Sequence, residues 1–322
     1  MHHRPDAEEP IRIGISACLL GRKVRFDGGH KHDRYLSDTL GQYFQWVPVC
    51  PEVEVGLPTP RPTLRLASSG GSVRMVITKQ DKDLTREMRR YARSRVAALA
   101  NEELSGYVLK RDSPSCGMER VKVYHGKGPP RRNGQGLYAE ALLARFPQLP
   151  VEEEGRLHDP RLRENWITRV FAYHRLRSLW ASRWTIGDLV RFHTAQKLLL
   201  LAHSPQDHRE LGRLVAAAKT YSRPKLRETY EARLMTGLSK IATTAKNTNV
   251  LQHILGYFKK DLDAAAKEEL LGHILDYRRG LVPLVVPLTL VTHYVRLLDV
   301  EYLRDQVYLN PHPKELALRN HV

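Results

Sequence analysis

Three cysteines carry the most specific chemistry in this 322-residue sequence, and the chain has no others: Cys18, Cys50 and Cys116. Thiolates bind zinc and the iron of iron–sulfur clusters. Each cysteine follows a predicted strand directly or within a few residues, among turn-forming residues. Because the carboxyl ends of parallel strands meet at one edge of a sheet, three such loops could bring the thiolates together.

The residues alone leave open what three converged thiolates would hold. Zinc would usually need a fourth ligand such as histidine. A 4Fe-4S cluster with three cysteine ligands would keep one open iron, which could bind substrate as a Lewis acid. Free cysteine is also common as a small hydrophobic core residue, so three unrelated buried thiols are the third alternative.

Two carboxylates follow the second cysteine closely. Glu52 and Glu54 have an i, i+2 spacing, which would place them on the same side of an extended segment. One of them could act as a proton donor or acceptor beside a bound substrate. The structural alternative is a surface carboxylate that pairs with Arg61 or Arg65.

Polar side chains also surround the other two cysteines. Asp112, Ser113 and Ser115 adjoin the third, where a serine could relay a proton, although Ser-Pro-Ser is also ordinary turn chemistry. The Gly-rich loop 24–32 follows the first cysteine, and its glycines allow a close approach of backbone to ligand. Three residues near its end could orient a substrate or could simply be solvated: His30, His32 and Asp33.

The elements that must position these residues alternate between strand and helix in the first half of the chain. This order predicts an α/β domain with a mostly parallel sheet and flanking helices. A helix is predicted over 84–99 from its apolar spacing. The predicted strands cover residues 12–17, 44–49, 72–78, 106–109 and 121–124.

The second half has the composition of an all-α domain. A segment rich in proline and acidic residues, 147–160, separates the halves, and we divide the chain into domains 1–160 and 161–322. Thr185 and Ser204 are predicted to cap helices. The predicted helices cover 161–180, 186–203, a run from 205, 224–244, 250–259, 262–279 and 288–306.

Charge and composition narrow the function classes. The formal net charge is +17, with 25 basic and 19 acidic residues in 1–155 and 27 and 16 in 156–322. A basic surplus favours a polyanionic partner such as nucleic acid, although solvated helix faces would give the same count. No apolar run approaches the ~20 residues of a membrane span. Sparse cysteines and no signal peptide pattern predict a cytoplasmic protein without disulfides.

Three motifs around the cysteines resemble the signature stretches of the thiouracil desulfurase (desulfidase) family. They read ISACLLGRKVRFDGGHK, VCPEVEVGLPTPRPTLRL and LKRDSPSCGMERVKVY, and together they span about residues 11–124. The helical half, from about Thr185 to Tyr308, resembles the YbgA-like domain that is often fused to such proteins. The combination is similar to the fused desulfidases that act on 4-thiouridine in tRNA.

The resemblance implies a 4Fe-4S cluster held by Cys18, Cys50 and Cys116, with one open iron. It also implies two acid–base residues: a carboxylate shortly after the second cysteine and a serine just before the third. We assign these to Glu54 and Ser113. Their neighbours Glu52 and Ser115 are close enough that either assignment could shift by two residues.

The implied reaction is hydrolytic and non-redox. A soft thione sulfur would bind the open iron, water activated by the carboxylate would attack the ring carbon, and hydrogen sulfide would leave. The expected substrate is tRNA, gripped through phosphate contacts by the basic helical domain. Free 2-thiouracil, or a non-catalytic iron–sulfur RNA-binding sensor, are the alternatives. Four aromatic residues could stack on bases, but helix-core packing is favoured: Trp166, Tyr173, Trp180 and Trp184.

Overall fold

The structure, a computed structural model, describes residues 10–69, 71–80, 82–126 and 128–321. The chain divides into two compact units between His158 and Asp159. Asp159 caps the first helix of the second unit, because its side chain accepts hydrogen bonds from the backbone amides of Arg161 and Leu162. This cap begins the helical region after the short 3-10 turn Arg156–His158, which follows the last strand of the first unit.

The N-terminal unit has an α/β architecture, as the sequence predicts. Its strands are β1 (Ile11–Ser16), β2 (Phe44–Val49), β3 (Leu64–Ser69), β4 (Ser72–Ile77), β5 (Gly106–Leu109), β6 (Val121–Tyr124), β7 (Arg131–Gly134) and β8 (Val151–Glu153). Its α-helices are α1 (Pro51–Glu54), α2 (Thr85–Leu99) and α3 (Leu137–Arg145).

The first sheet is entirely parallel, in the order β2-β1-β5-β8. Its inner strand β5 is buried on both faces, because the consecutive residues Tyr107, Val108 and Leu109 are all fully buried. Strands covered on both faces are typical of parallel sheets flanked by helices. The predicted mostly parallel sheet is therefore confirmed for this half of the unit.

The second sheet is mixed, and the sequence did not predict it. Its order is β4-β3-β6-β7, with β3 antiparallel to β4 and parallel to β6. The predicted strands 72–78 and 121–124 belong to this sheet. Strand β7 was not predicted because its sequence, Arg-Arg-Asn-Gly, has no apolar alternation, as is common at a sheet edge.

Strand β8 lies inside the segment that we interpreted as a linker. Its acidic side chains are nevertheless buried, with Glu152 5% and Glu153 7% exposed. The Glu153 carboxylate accepts a hydrogen bond from the Met118 amide at 2.8 Å, and Glu152 accepts one from Arg156 at 2.7 Å. Both buried carboxylates therefore have hydrogen-bond donors, so an acidic segment can complete a buried sheet.

The C-terminal unit is helical in its described residues, as predicted. Thr185 forms a capping box with Asp188, and Ser204 accepts a hydrogen bond from the Asp207 amide, so both predicted caps are confirmed. The helix predicted over 288–306 is wrong in extent, because it ends at Leu297 before a separate short helix begins. The helices are α4 (Pro160–Ala181), α5 (Ile186–His203), α6 (Pro205–Ala216), α7 (Arg223–Ser239), α8 (Thr244–Tyr257), α9 (Ala264–Arg278), α10 (Val285–Leu297) and α11 (Glu301–Arg304).

The tryptophans of the helical unit belong to its interior. Trp166 is fully buried, and Trp180 and Trp184 are 5% and 8% exposed. Their rings therefore pack inside the unit and do not form a stacking surface for bases, which confirms the core-packing interpretation. Among the described residues, no helix is long and apolar enough to cross a membrane.

Three buried histidines make the stability of the helical unit sensitive to acid. Burial lowers the pKa of His193 and His203 to about 4 and that of His312 to about 3. In the unfolded chain the same histidines take up protons near pH 6.5, whereas in the folded chain they stay neutral until a lower pH. Their burial therefore costs no stability above pH 6.5, and the free energy of unfolding falls as the pH drops from 6.5 toward 4. By pH 5 each histidine should reduce the free energy of unfolding by about 2 kcal/mol.

Chemical denaturation of the full chain at pH 7.5 and pH 5, followed by tryptophan fluorescence, measures this loss. His193→Gln should shrink the difference between the two pH values, because its side chain does not titrate. Equal unfolding free energies at both pH values would contradict the prediction.

Candidate functional site

The three cysteines line one cavity of about 400 Å³ in the N-terminal unit. Cys18 lies in the short turn directly after β1, Cys50 directly after β2, and Cys116 in the loop after β5. These three strands are neighbours in the parallel sheet. The cysteines therefore meet because their loops leave the same edge of adjacent parallel strands, as the sequence argument required.

The thiols sit in a poorly solvated wall of this cavity. Cys18 and Cys116 are 8% and 6% exposed, and Cys50 is half-buried. Burial, followed by the charge of Cys50, raises the pKa of Cys18 to about 11. Burial also raises the pKa of Cys50 and Cys116. Thiols with such pKa values stay protonated at neutral pH unless a metal centre takes the proton's place.

The three thiols fit a 4Fe-4S cluster by the chemistry of their donor atoms. Cysteine thiolates are the usual protein ligands of the iron in such clusters. All three cysteines line one cavity, from which each could reach a different iron. A single zinc ion would usually need a fourth ligand beside them.

A hydrogen-bonded chain runs along the same cavity from Glu52 to Ser113. The Ser115 hydroxyl donates to the Glu52 carboxylate at 2.7 Å, and it lies 2.9 Å from the hydroxyl of Ser113. Ser113 in turn accepts the Cys116 backbone amide at 3.1 Å. These polar groups line the cavity together with the cysteines, so they can pass a proton to or from a molecule bound there.

Arg61 anchors this chain at its carboxylate end. Its guanidinium donates to one Glu52 oxygen at 2.6 and 3.1 Å and to the carbonyl of Val24 at 3.0 Å. The pairing of Glu52 with Arg61, which the sequence offered as an alternative, is therefore real. The Arg61 side chain is only 3% exposed, so the pair belongs to the cavity wall rather than to the surface.

Glu54 occupies a different environment. Its carboxylate accepts hydrogen bonds from the Cys50 backbone amide at 3.0 Å and from the Tyr91 hydroxyl at 2.6 Å, and it pairs with Arg95 at 3.2 Å. It is not among the cavity-lining residues that the structure describes. The i, i+2 spacing separates the two glutamates because Pro51–Glu54 is a helical turn and not an extended segment.

A paired lysine and part of loop 24–32 complete the cavity. Lys110 lines it and is paired with Glu154, whose other oxygen accepts the Arg111 amide at 2.8 Å. From the loop, Phe26 and Lys31 also line the cavity. The three residues singled out near the end of the loop make other contacts. The ring of His32 contacts Ser37, His30 accepts a hydrogen bond from the His32 amide, and Asp33 lies near His158.

Sequence reasoning missed helix α3, which supports the third cysteine loop. Its first amides donate to the loop carbonyls: Leu137 to Pro114 and both Tyr138 and Ala139 to Ser115. At Gly136, which precedes the helix, a Cβ atom would lie 2.4 Å from the Ser115 oxygen. The glycine is needed because helix and loop approach so closely.

Gly136→Ala should displace Ser115 and Cys116, with an overpacking penalty of about 1–3 kcal/mol. We expect lower iron and sulfide content after anaerobic reconstitution, together with a lower melting temperature. Gly212→Ala is the matched control, because a Cβ atom there meets nothing within 4 Å. Normal cluster content in Gly136→Ala would show that the loop tolerates displacement.

Comparison with known proteins finds one matching family model in each of the two units. Residues 13–154 match the family model described as 2-thiouracil desulfurase, and residues 197–313 match the one described as a protein of unknown function, DUF1722. The chain therefore joins a 2-thiouracil desulfurase domain to a DUF1722 (YbgA-like) domain.

The relatives each correspond to about one half of the chain. The uncharacterized protein YbgA of Escherichia coli is 34% identical over 161 residues, which cover 50% of this chain and 95% of YbgA. The uncharacterized protein YbbK of Bacillus subtilis is 28% identical over 137 residues, covering 40% of this chain and 88% of YbbK. The solved structure of the [4Fe-4S]-dependent thiouracil desulfidase TudS is 35% identical, covering 46% of this chain and 94% of that one, with a TM-score of 0.39.

Proposed function

We propose that this protein is an iron–sulfur-dependent desulfidase that hydrolyses the C=S group of a thiouracil-type base to C=O and hydrogen sulfide. The observation that carries the proposal is the single cavity shared by three cysteine thiols and the Glu52–Ser115–Ser113 chain. A metal centre and a proton-transfer path facing the same space are what hydrolysis at a soft sulfur requires.

Cys18, Cys50 and Cys116 would hold a 4Fe-4S cluster. When bound, its fourth iron supplies a Lewis acid for the thione sulfur and needs no electron donor. The relative TudS, 35% identical in sequence, is a [4Fe-4S]-dependent thiouracil desulfidase, and this supports the same cofactor and chemistry here. The chain supplies no further cysteine, so no fourth thiolate of this chain can occupy that iron.

Glu52 is the carboxylate best placed to take the proton of the attacking water. One of its oxygens is held by Arg61, and the other receives the Ser115 hydroxyl at 2.7 Å. As the water attacks, its proton passes to Glu52, and the two serines can return a proton toward the departing sulfur. Glu54 is held by Tyr91 and by the Cys50 amide, so its role is to position the second cysteine loop.

The finer proposal is that the substrate is 4-thiouridine in tRNA. It is supported by the net charge of the chain, +17, which suits a polyanion, and by the joined helical domain. A thiolated base inside folded RNA would have to leave its stack to reach the cysteines. Free 2-thiouracil is the alternative substrate, because a small base needs only the cavity of about 400 Å³.

The deciding experiment compares two substrates with one preparation. Protein purified and reconstituted without oxygen is mixed with bulk tRNA and, separately, with free 2-thiouracil, while the thiocarbonyl absorbance and released sulfide are followed. Turnover of tRNA alone supports the finer proposal, and turnover of the free base alone supports the alternative. No turnover of either, with salt-sensitive RNA binding, would establish the non-catalytic sensor instead.

A further inference from the structure

One aromatic ring lies among the described residues that line the cavity shared by the three cysteines, and it is that of Phe26 in loop 24–32. We propose that Phe26 is the stacking surface for the pyrimidine base of the substrate. The inference rests on the proposed desulfidase function. It adds to that function the residue that holds the flat face of the base while the sulfur reaches the cysteines.

The ring of Phe26 is exposed although it is large and apolar. Phe26 is 37% exposed, and no other large hydrophobic residue in the described part of the N-terminal unit is exposed to a comparable degree. A flat base that covers the ring removes apolar surface of both partners from water, which favours binding. The position of this exposed ring at the cysteine cavity, and not elsewhere on the unit, is the observation that carries the inference.

The backbone of Phe26 is fixed relative to the second cysteine and to Glu52. The Phe26 carbonyl accepts a hydrogen bond from the Arg61 amide at 2.8 Å. The Arg61 guanidinium in turn bonds the Glu52 carboxylate and the Val24 carbonyl. The Cys50 sulfur lies 3.8 Å from the same Val24 carbonyl. A ring on a backbone held in this way is already ordered before a base binds, which reduces the entropy cost of binding.

The rest of the loop is fixed to the first cysteine. The Lys31 amide donates to the Cys18 carbonyl at 2.9 Å, and the Gly28 amide closes a turn by donating to the Arg25 carbonyl at 3.0 Å. The Arg25 guanidinium lies over the Phe26 ring, 5.2 Å from its centroid, so a cation–π contact also orients the ring. Phe26 therefore stands on an ordered turn that contacts two of the three cysteine segments.

A pyrimidine base matches what this cavity offers. Such a base has polar groups around its edge and a π face above and below. The carboxylate of Glu52 and the hydroxyls of Ser113 and Ser115 can bond the edge, and Phe26 is the described wall residue whose ring can meet the face. Stacking on aromatic side chains is a common way in which proteins hold an unpaired base.

Titration calorimetry of the reconstituted full chain with uracil and with UMP tests the inference, because both carry the product base and neither is consumed. Phe26→Ala should weaken the tighter of the two interactions by about 5–100-fold, whereas Phe26→Tyr should bind like the wild type. Phe26→Leu keeps apolar bulk without a ring and should bind nearly as weakly as Phe26→Ala. In turnover assays Phe26→Ala should raise KM by a similar factor and leave kcat little changed, as expected for uniform binding.

Iron and sulfide analysis of each variant separates an effect on the cluster from an effect on base binding. Tyr221→Ala is the control, because it removes another exposed ring, 42% exposed, that does not line the cavity, and it should leave uracil binding unaltered. Wild-type affinity in Phe26→Leu would overturn the inference, since bulk without a ring would then be sufficient. Failure of the wild type to bind either uracil or UMP would overturn it as well.

The two proposals can fail separately. If the wild type desulfurises its substrate and Phe26→Ala keeps the wild-type KM, the stacking role is wrong and the proposed function remains. If the wild type shows no turnover but loses base binding through Phe26→Ala, the proposed function is wrong and the stacking role remains.

Discussion

Replacing any one of Cys18, Cys50 or Cys116 with alanine should abolish desulfidase activity and strongly reduce bound iron. The physical reason is that the three thiols line one cavity from three adjacent strand ends, and the chain holds no spare cysteine. Two remaining ligands would not retain a cluster that three thiolates hold. The fold itself should persist, because a buried cysteine contributes mainly as a small apolar side chain.

The measurement combines iron and sulfide analysis, visible absorbance after anaerobic reconstitution, and the melting temperature of the unreconstituted protein. Cys→Ser at the same positions preserves the side-chain size and separates packing from ligation. Each alanine variant should therefore lose its cluster while its melting temperature changes little. A variant that keeps both a full cluster and turnover would show that the corresponding cysteine is not a ligand.

Glu52→Gln should lower kcat by about 10²–10⁴-fold while the cluster content stays normal, as expected for the loss of a general base. Glutamine keeps the size of the side chain and can still contact Arg61 and Ser115, so the structural change is small. The expected result follows from the Glu52 oxygen that faces the two serines along the cavity.

Glu54→Gln is the matched comparison, because Glu54 lies two residues from Glu52 and carries the same charge. Its carboxylate holds Tyr91, Arg95 and the Cys50 amide, so its loss should act on the second cysteine loop. We expect reduced cluster content with near-normal turnover per bound cluster. If Glu54→Gln instead loses turnover with a full cluster, the assignment made from the family resemblance is the right one.

The cavity lined by the three cysteines shows where sequence reasoning reaches its limit. The alternation of strands and helices was enough to predict a parallel sheet, and the position of each cysteine after a strand indicated that their loops could meet. The mixed second sheet could not be predicted, because strand β7 is charged, and the acidic strand β8 was likewise missed in the first sheet. The burial of β8 depends on a partner distant in sequence, the Met118 amide that bonds Glu153.

The two glutamates illustrate the same limit at atomic scale. The sequence identified both as proton-transfer candidates, but it assumed an extended backbone after Cys50. In the structure Pro51–Glu54 is a helical turn, so Glu52 faces the cavity while Glu54 contacts helix α2. Local backbone shape sets side-chain direction, and a four-residue segment takes that shape from its tertiary surroundings.

By itself, the sequence indicated the class of chemistry, because thiols, carboxylates and hydroxyls stand near the three predicted strand ends. It also indicated the alternating order of strands and helices. That order can bring distant cysteines to one edge of the sheet, because the carboxyl ends of parallel strands lie at the same edge. Only the tertiary structure decided which carboxylate faces the cavity, that Gly136 must lack a side chain, and that the acidic strand β8 is buried. Those features depend on contacts between residues far apart in the chain, which no local pattern encodes.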